Sequence, residues 1–401
     1  MSGGPLEGIR IIDLTTVVVG PMVTQVMADY GADVIKVEPP GGDLVRFLAG
    51  TSPSGTMSGK FLALNRNKRS ICLDMKEATG REVILRLIQD ADVLIWNLRP
   101  SAMKKLGLDY ESVRAVNPNI VYCGIVGFGS GGRYAGLPAY DPIVQGVGGI
   151  AALNHRVTGE PRYVPIVMAD KTTGLIATQM LLLALLHRER SGEGSSVEVP
   201  MFENVAKYVL EEHLYLHSFE PPLGPMGDPR IFDPSARPIA TRDGWLCIAA
   251  NTNAQAFAFF EAIGRPELKD DPRFCTIAAR FANVKEYFGL RSAALAEKTT
   301  EEWLAIFNRV DVPAMKYNTL EDLFDDPHLR DVGLLKRIEH PTEGTVWDIQ
   351  PPNRLSCGTR TDYSPAPSVG QHTEDILQEV GFTEDQIQSL LRTRVAASGR
   401  S

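Results

Sequence analysis

Between residues 9 and 200, short apolar segments alternate with segments of helical periodicity. Lys76–Ala91 carries apolar side chains at helical spacing, and Pro21 and Gly31 are placed to begin and to end an earlier helix. Strand–helix alternation favours parallel pairing, because each helix carries the chain back across the sheet. We therefore predict an α/β fold with a largely parallel open sheet covered on both faces. Strands are predicted at Ile9–Leu14, Val34–Val37, Val93–Trp96 and Ile120–Val126.

Two proline-rich segments divide the 401-residue chain, which is long enough for more than one hydrophobic core. We predict that residues 218–238 and 341–367 are linkers. Between them, a strand at Trp245–Ala250 and several helices predict a smaller α+β domain over residues 239–340. Beyond the second linker, Thr373–Val395 has an amphipathic pattern. Helices of the smaller domain are predicted at Ala254–Ile263, Val284–Glu297 and Glu301–Val310.

The composition excludes several classes of function. The chain has 41 basic and 49 acidic residues and a net charge of -8, whereas nucleic-acid surfaces and polybasic membrane patches need an excess of Lys and Arg. Its start lacks the pattern of a secretory signal, and the longest apolar stretch, Gly174–Leu186, is shorter than the ~20 residues of a membrane span. Five scattered cysteines without a Cys-x-x-Cys pattern argue against a disulfide framework or a metal site. We therefore expect a cytoplasmic protein with no nucleic-acid partner, no membrane partner and no bound metal.

The segment Gly127–Gly132 satisfies the glycine pattern of dinucleotide-binding proteins, but Arg133–Pro138, which follows it, is not a helical sequence. The pattern binds phosphates only where a helix begins directly after the strand. The first strand–helix unit ends in Glu38, where a ribose-binding acid could lie, yet its turn contains a single glycine, Gly20. Nicotinamide binding is therefore disfavoured. The motifs of serine hydrolases, P-loop NTPases and zinc peptidases do not occur in the sequence.

Asp170 ends an apolar segment and directly precedes a long apolar helix that is predicted to continue to Leu186. An Asp at such a position is most often an N-cap, which accepts hydrogen bonds from free backbone N–H groups. The same position suits a nucleophile, because the helix N-terminus favours the anion and an Asp with a pKa of about 3.9 is ionised at neutral pH. The residues alone leave both interpretations open, and the cap is the commoner of the two.

Eight segments of the chain form a specific set through their order and number. They are Leu6–Leu14, Gly20–Pro21, Gly31–Pro39, Leu64–Ser70, Leu73–Lys76, Asp92–Pro100, Met168–Gly174 and Gly370–Leu377. Together these segments resemble the class III CoA-transferases, also called the CaiB/BaiF or formyl-CoA transferase family. The resemblance covers nearly the whole chain, is strongest over residues 6–215 and is weak over residues 220–340.

The resemblance implies a fold and an assembly. Residues 1–217 and 368–401 would together form a large, Rossmann-like domain with an open parallel sheet that binds CoA, and residues 239–340 the smaller α+β domain. Members of the family form intertwined homodimers, in which two elongated, ring-shaped chains are threaded through each other. We therefore expect this chain to form an intertwined dimer.

The resemblance also implies a reaction. Asp170 would attack the thioester carbonyl of an acyl-CoA, release CoA thiolate and form a mixed aspartyl–acyl anhydride. CoA thiolate would then attack the Asp170 carbonyl to give an aspartyl-CoA thioester, which the acceptor acid would attack in turn. Such covalent catalysis divides one difficult exchange into easier steps. The implied substrates are an acyl-CoA and a carboxylic acid, with coenzyme A as a substrate and no permanently bound cofactor.

The resemblance assigns further site residues. Val18, Tyr140 and Asp141 are expected to line the substrate pocket. Backbone N–H groups of Gly127 and Gly129 are expected to stabilise an oxyanion or to cover the intermediate. Taken alone, the charged residues of the CoA set would more often be solvated surface charges. The glycine segment could equally be a plain connection. The residues expected to bind CoA are Leu73, Asp74, Met75, Lys76, Asn97, Leu98, Arg99 and Lys105.

Departures from the family pattern limit these expectations. Pro138 stands where some relatives have a basic residue, and residues 218–250 lack the glycine run of the formyl-CoA branch, which weakens formyl-CoA and oxalate as expected substrates. The 2-methylacyl-CoA racemases are one alternative, but Tyr140 stands where they have a histidine base, and a Tyr with a pKa of about 10 is a poor base at neutral pH. A non-catalytic CoA-binding protein is another alternative, against which Asp170 and Gly174 argue.

Overall fold

The computed structural model describes residues 3–48, 50, 52–358 and 363–399. Residues 1, 2, 400 and 401 of the predicted large domain and residues 359–362 of the predicted second linker lie outside this part of the chain. The chain forms two compact units, and the first draws on both chain ends. The first unit is Met1–Gly149, Tyr163–Lys207 and Val332–Ser401, and the second is Ile150–Arg162 and Tyr208–Asp331. The predicted domain boundaries stay predictions, since a compact unit need not coincide with a domain.

The secondary structure alternates along the first part of the chain as predicted. The strands are β1 (Arg10–Leu14), β2 (Asp33–Glu38), β3 (Lys68–Leu73), β4 (Val93–Trp96), β5 (Val121–Val126), β6 (Ser195–Pro200), β7 (Ile239–Ala240), β8 (Trp245–Ile248), β9 (Ala314–Lys316), β10 (Leu335–His340), β11 (Gly344–Ile349) and β12 (Ala396–Ala397). The helices are α1 (Val19–Asp29), α2 (Gly59–Asn65), α3 (Ala78–Gln89), α4 (Pro100–Lys105), α5 (Tyr110–Val116), α6 (Asp141–Val147), α7 (Ile150–Thr158), α8 (Met168–Ser191), α9 (Met201–His213), α10 (Pro229–Phe232), α11 (Asn253–Ala262), α12 (Ile277–Ala282), α13 (Val284–Leu295), α14 (Thr300–Arg309), α15 (Leu320–Asp325), α16 (Pro327–Asp331), α17 (Thr373–Glu379) and α18 (Glu384–Arg392). None of the helices within the described ranges combines the length and the apolar character needed to cross a membrane.

The first unit is built around a seven-stranded sheet in the order β12-β3-β2-β1-β4-β5-β6. Its strands pair in parallel except β12, which runs antiparallel to β3. This confirms the predicted parallel sheet, and β12 shows that the C-terminal segment returns to it. The strand order reverses between β1 and β4, and open α/β sheets bind ligands beyond the carboxyl ends of the strands at such a reversal.

The central strands are buried on both faces of this sheet. Every residue of β4 and β5 is buried, which explains why both sequences are continuous apolar runs. Helices α1 and α8 pack closely at Gly174, where a Cβ atom would lie 3.2 Å from Met22 Sδ and 3.2 Å from the Val19 carbonyl oxygen. Helix α3 presents the predicted apolar stripe to the core through Val83, Ile84, Leu87 and Ile88.

A network of buried charges lies at the end of β1. Lys36 Nζ is 2.8 Å from Asp43 Oδ2 and donates to the Thr15 carbonyl at 2.9 Å. Lys68 Nζ is 3.4 Å from Asp13 Oδ2. Burial alone would raise the pKa of Asp13, but Lys68 and Lys36 lower it, whereas burial lowers the pKa of Lys68 to about 8. Because buried charges are tolerated only when they are paired, this network holds the loop between β1 and α1 in one conformation.

The second unit contains a three-stranded antiparallel sheet in the order β7-β8-β9, together with helices that match the predicted ones within a few residues. Capping boxes begin α11 and α14, at Thr252 and Thr299. The mixture of antiparallel strands and helices confirms the expected α+β architecture. Its core is largely aromatic and includes Phe259, Phe260, Trp303 and Phe307.

Candidate active site

A cavity of about 250 Å³ lies beyond the carboxyl ends of β1, β4, β5 and β6, at the point where the strand order reverses. Val19 begins α1, Met201 begins α9, and Asp170 lies in the first turn of α8; all three line this cavity. Helix N-termini carry free N–H groups and a partial positive charge, so the cavity suits an anionic ligand. Its other walls are Thr16–Val18, Asn97–Pro100, Ile125–Phe128 and Gly136–Tyr140.

Asp170 lies inside α8 and is not its cap. The helix begins at Met168, and Val167 occupies the cap position without a side-chain hydrogen bond. The interpretation of Asp170 as an N-cap is therefore wrong, because the apolar residues before it already belong to the helix. Asp170 is only 9% exposed, and no group within the described ranges donates a hydrogen bond to its side-chain oxygens. The Asp170 carboxyl group is thus buried and has no hydrogen-bond donor among the described residues.

The neighbouring Asp141 fixes the backbone at Asp170. Asp141 Oδ1 accepts a hydrogen bond from the Asp170 N–H at 3.1 Å, and Asp141 Oδ2 accepts one from Gln145 Nε2 at 2.7 Å. Gln145 is held in turn, because its Oε1 accepts from the Val164 N–H at 2.9 Å and its Nε2 donates to the Ile166 carbonyl at 3.1 Å. These bonds join α6 to the segment before α8 and keep two carboxyl groups close together.

The surroundings of Asp170 shift its pKa upward. Burial raises the pKa of this carboxyl group to about 7, the Asp141 carboxylate adds to the increase, and Lys60 opposes it. The ordinary Asp pKa assumed from the sequence therefore does not apply, since the helix N-terminus does not offset burial beside a second carboxylate. Near neutral pH the anion can form, and it is poorly solvated and ready to react. A perturbed carboxyl group in a cleft is typical of a functional site.

The loop between β1 and α1 forms the wall next to Asp170 and is held in an unusual conformation. Val17 has a φ of +68°, a region that β-branched residues rarely adopt, and its N–H donates to Asp43 Oδ1 at 3.1 Å. Asn97 accepts from the Thr16 N–H at 2.9 Å and donates to the Thr16 carbonyl at 2.8 Å. These bonds place the buried Val18 in the wall of the cavity.

The glycine segment after β5 has backbone N–H groups that already have partners. The Gly129 N–H donates to Glu203 Oε1 at 2.8 Å, and the Ser130 N–H donates to Glu198 Oε1 at 3.0 Å. Gly127 packs so tightly that an added Cβ atom would lie 2.4 Å from the Cβ of Ala139. In this arrangement the Gly129 N–H becomes available to a reaction intermediate only after its bond to Glu203 breaks.

The match to known proteins extends over nearly the whole chain. The family model described as CoA-transferase family III matches residues 6–373. The chain belongs to this family. The succinate–glutarate CoA-transferase of Agrobacterium fabrum is 33% identical and covers 95% of this chain and 96% of its own length. The formyl-CoA:oxalate CoA-transferase of Escherichia coli is 32% identical, with 96% and 98% covered. The crystal structure of a CaiB/BaiF family protein from Brucella suis superimposes with a TM-score of 0.78 at 32% identity, over 94% of this chain and 100% of that chain.

In this family III member, the residues expected to bind CoA lie at three places. Asn97–Arg99 line the cavity, although both polar atoms of the Asn97 side chain are bonded to the β1–α1 loop. Leu73 ends β3, three strand positions from β4, and is fully buried in the core, and Asp74–Lys76 follow it. Lys105 ends α4, is exposed and does not line the cavity. Three strand spacings are about 14 Å, so only an extended ligand reaches both Asn97–Arg99 and the residues after β3.

The three residues expected in the substrate pocket of this family III member come together around Asp170. Val18 and Tyr140 line the same cavity as Asp170, and Tyr140 is largely exposed at its mouth. Asp141 is buried and bonded to the Asp170 backbone. The structure therefore gathers in one place residues that are far apart in the sequence.

A second cavity of about 500 Å³ contains residues that the sequence did not single out. It shares Val18 with the first cavity, and Lys60, Lys171 and Gln145 line it. Lys60 is near enough to Asp170 to lower its pKa, yet it lies in the short helix α2, far away in the sequence, and no motif points to it. For Gln145, the spacing of four residues from Asp141 on one helix was a usable signal.

Proposed function

We propose that this chain transfers coenzyme A from an acyl-CoA to a carboxylic acid and that Asp170 is the nucleophile. The observation that carries the proposal is the state of the Asp170 carboxyl group. It is buried beside Asp141, lines the cavity at the strand reversal and accepts no hydrogen bond from within the described ranges. Family membership supplies the class of reaction. The name of the Agrobacterium relative supports short carboxylic acids as substrates.

The proposed reaction begins when an Asp170 oxygen attacks the thioester carbonyl and the C–S bond breaks, releasing CoA thiolate. The thiolate attacks the Asp170 carbonyl of the anhydride, and the donor acid leaves with the bridging oxygen. The acceptor carboxylate then attacks the aspartyl-CoA thioester and again releases the thiolate. Finally the thiolate attacks the acceptor acyl carbonyl, which forms the new acyl-CoA and returns the bridging oxygen to Asp170. No proton is consumed, and each step exchanges one acyl bond for another.

The cavity supports these steps electrostatically. Thiolate, carboxylate and tetrahedral oxyanion are all anions, and the N-termini of α1, α8 and α9 face the place where they form. The extended path between Asn97–Arg99 and Leu73–Lys76 fits a molecule as long as CoA, with Lys76 and Lys105 as exposed cations for its phosphates. Gly127 and Gly129 would contribute N–H groups if the glycine segment left its contacts with Glu198 and Glu203.

We further propose that the active form is an intertwined homodimer in the cytoplasm. Helix α8 supports the assembly, because it buries one stripe of side chains and leaves several large apolar ones exposed. Such an apolar surface is typical of a protein interface. The exposed side chains are Leu175, Met180, Leu182, Leu183 and Leu186.

The test asks whether oxygen atoms of the acceptor acid are transferred to the Asp170 carboxyl group. Turnover with an acceptor acid labelled with oxygen-18 in its carboxyl group should place oxygen-18 on Asp170, which mass spectrometry of the peptide containing this residue would detect. Asp170→Asn should abolish transfer and leave CoA binding intact, because Asn keeps the size of the side chain and lacks the nucleophilic oxygen. Transfer at a near-normal rate by Asp170→Asn, or turnover without label, would refute the proposal. Exchange of an α-proton in deuterated water instead of transfer would favour the racemase alternative.

A further inference from the structure

The backbone between β1 and α1 is held by side chains from outside the loop. Of the six backbone N–H and C=O groups of Thr15–Val17, five bond to side chains. Each of these bonds satisfies a backbone group and removes conformational freedom, so the loop is fixed in one conformation. The side chains belong to Asp13, Lys36, Asp43 and Asn97.

The conformation of Val17 depends on these bonds. At a φ of +68° the Cβ atom of a β-branched residue crowds the backbone, so a valine does not adopt this conformation by preference. A strained residue persists only where its surroundings impose the conformation. Asp43 does so from one side, because its Oδ1 accepts a hydrogen bond from the Val17 N–H at 3.1 Å. Asn97 lies on the other side of the loop and acts on the residue before Val17.

Asn97 binds both backbone polar groups of Thr16. Its Oδ1 accepts from the Thr16 N–H at 2.9 Å, and its Nδ2 donates to the Thr16 carbonyl at 2.8 Å. Leu14 and Trp96 are the last paired residues of the parallel strands β1 and β4. The Asn97 amide therefore supplies backbone-like hydrogen bonds just beyond the point where strand pairing ends. Two bonds from one amide to one residue fix both the position and the orientation of that residue.

The loop held in this way forms a wall of the Asp170 cavity. Val18 directly follows Val17, is buried and lines the cavity together with Asp170. Helix α1 begins at the next residue, Val19, whose carbonyl oxygen would lie 3.2 Å from a Cβ atom on Gly174, one helical turn after Asp170. A loop that moved would therefore shift both the cavity wall and the start of α1 relative to Asp170.

We infer that Asn97 is a positioning residue for acyl transfer, which holds the β1–α1 loop against the Asp170 site, and that its side chain is not a ligand of CoA. This role differs from the one that the family resemblance implies for Asn97. Arg99, two residues further along, is exposed and remains the cation of this segment that CoA can reach. A reacting group needs such support from residues that do not touch the substrate. The inference rests on the proposed function, since Asn97 acts on the reaction at Asp170 through the loop.

Asn97→Ala separates the two roles, because positioning acts on kcat whereas ligand binding acts on the affinity for CoA. Without its two bonds Thr16 is released and Val17 can relax, so kcat should fall by on the order of tenfold or more. The Kd of CoA, measured by isothermal titration calorimetry, should stay within about twofold of the wild-type value. The matched control is Asn117→Ala, which removes an amide that donates to two backbone carbonyls at 2.9 and 2.8 Å before β5, and it should leave kcat unchanged.

Val17→Gly should make the reaction less dependent on Asn97. Glycine adopts a positive φ without a steric penalty, so the loop needs less restraint. In the Val17→Gly background, Asn97→Ala should therefore lower kcat by about threefold or less. Such coupling between the two positions would not arise from a general loss of stability, which circular dichroism of each variant monitors.

Hydrogen exchange tests the same inference in the wild-type protein. The peptide that contains Thr16 should exchange no faster with CoA bound than without it, because Asn97 keeps its bond to the Thr16 N–H. Faster exchange with CoA, an unchanged kcat in Asn97→Ala, or a rise of about tenfold or more in its Kd for CoA would overturn the inference. If wild-type turnover places no oxygen-18 on Asp170, the proposed function fails instead.

Discussion

At the scale of single residues, Asp170 combines two demands that oppose each other. As the proposed nucleophile Asp170 must be an anion, but burial beside Asp141 favours the neutral acid and raises the pKa of Asp170 to about 7. The stability of the fold and the reactivity of the site therefore depend on the same carboxyl group. A carboxylate without hydrogen bonds is less stable than a solvated one, and the same property makes it a better nucleophile.

Asp170→Asn should stabilise the folded protein above neutral pH. The native-state pKa of Asp170 lies above its value in the unfolded chain, so the native state holds the extra proton between about pH 4 and pH 7, and stability falls as the pH rises through this range. Above pH 7 the buried anion costs free energy that the neutral amide does not. We expect the free energy of unfolding at pH 8 to increase by about 1–3 kcal/mol, measured by urea denaturation. At pH 4 the variant and the wild type should be nearly equal, and a uniform difference at both pH values would contradict this account.

The rate of transfer should rise with pH as Asp170 ionises. We expect kcat/KM to increase through the region near pH 7 and to level off above it, because only the carboxylate attacks the thioester. Asp141→Asn should move the midpoint to lower pH, since a negative neighbour is removed, and Lys60→Met should move it to higher pH. Initial rates across pH 5–9 with a fixed donor and acceptor measure both shifts. Midpoints that stay fixed in both variants would mean that another group controls the profile.

At the scale of secondary-structure elements, the site depends on the junction between α6 and α8. Gln145 joins α6 to the segment before α8, because its Oε1 accepts from the Val164 N–H and its Nε2 donates to the Ile166 carbonyl. Its Nε2 also donates to Asp141 on α6 itself. We therefore propose that Gln145 is a positioning residue, because it holds the Asp141 carboxyl group that accepts from the Asp170 N–H.

Gln145→Leu should weaken both the fold and the reaction. Leucine fills a similar volume but removes the donor to Oδ2 of the buried Asp141 and the acceptor of the Val164 N–H, which costs about 1–3 kcal/mol. The free energy of unfolding should fall by that amount, and kcat should fall more than KM changes, because Asp170 loses its alignment with the thioester. The matched control is Gln388→Leu on α18, where the amide donates to the exposed Glu384 and both changes should be small. If the two substitutions had equal effects on stability and on kcat, Gln145 would not be a positioning residue.

At the scale of the whole molecule, the exposed face of α8 predicts association. Leu183 is 57% exposed on a helix whose other face is buried in the first unit. Light scattering at micromolar concentration should give twice the 43.9 kDa mass of the chain. Leu183→Lys should reduce the fraction of dimer, whereas Leu320→Lys, at a position that is 82% exposed on α15, should not. A wild-type monomer would contradict the proposed assembly.

The sequence by itself determined the elements and the family. β4 was predicted with the bounds that the structure has, because an apolar run that ends at polar residues is a local property of the chain. The parallel sheet followed from the alternation of strands and helices, and the order of eight short segments indicated the family. Adjacent residues placed Asp170 at the start of an apolar helix, but only the resemblance selected it as a nucleophile rather than an N-cap.

Only the tertiary structure decided the electrostatics and the partners of those residues. The pKa of Asp170 depends on burial, on Asp141 and on Lys60, which neighbour Asp170 in space but are far from it along the chain. The N–H of Gly129 is bonded to Glu203, a contact that no spacing rule predicts. The second cavity, which Lys60 and Lys171 line, exists only where separate segments of the chain meet. Secondary structure follows from local patterns, whereas charge coupling, burial and cavity shape depend on distances through space, which the linear sequence does not encode directly.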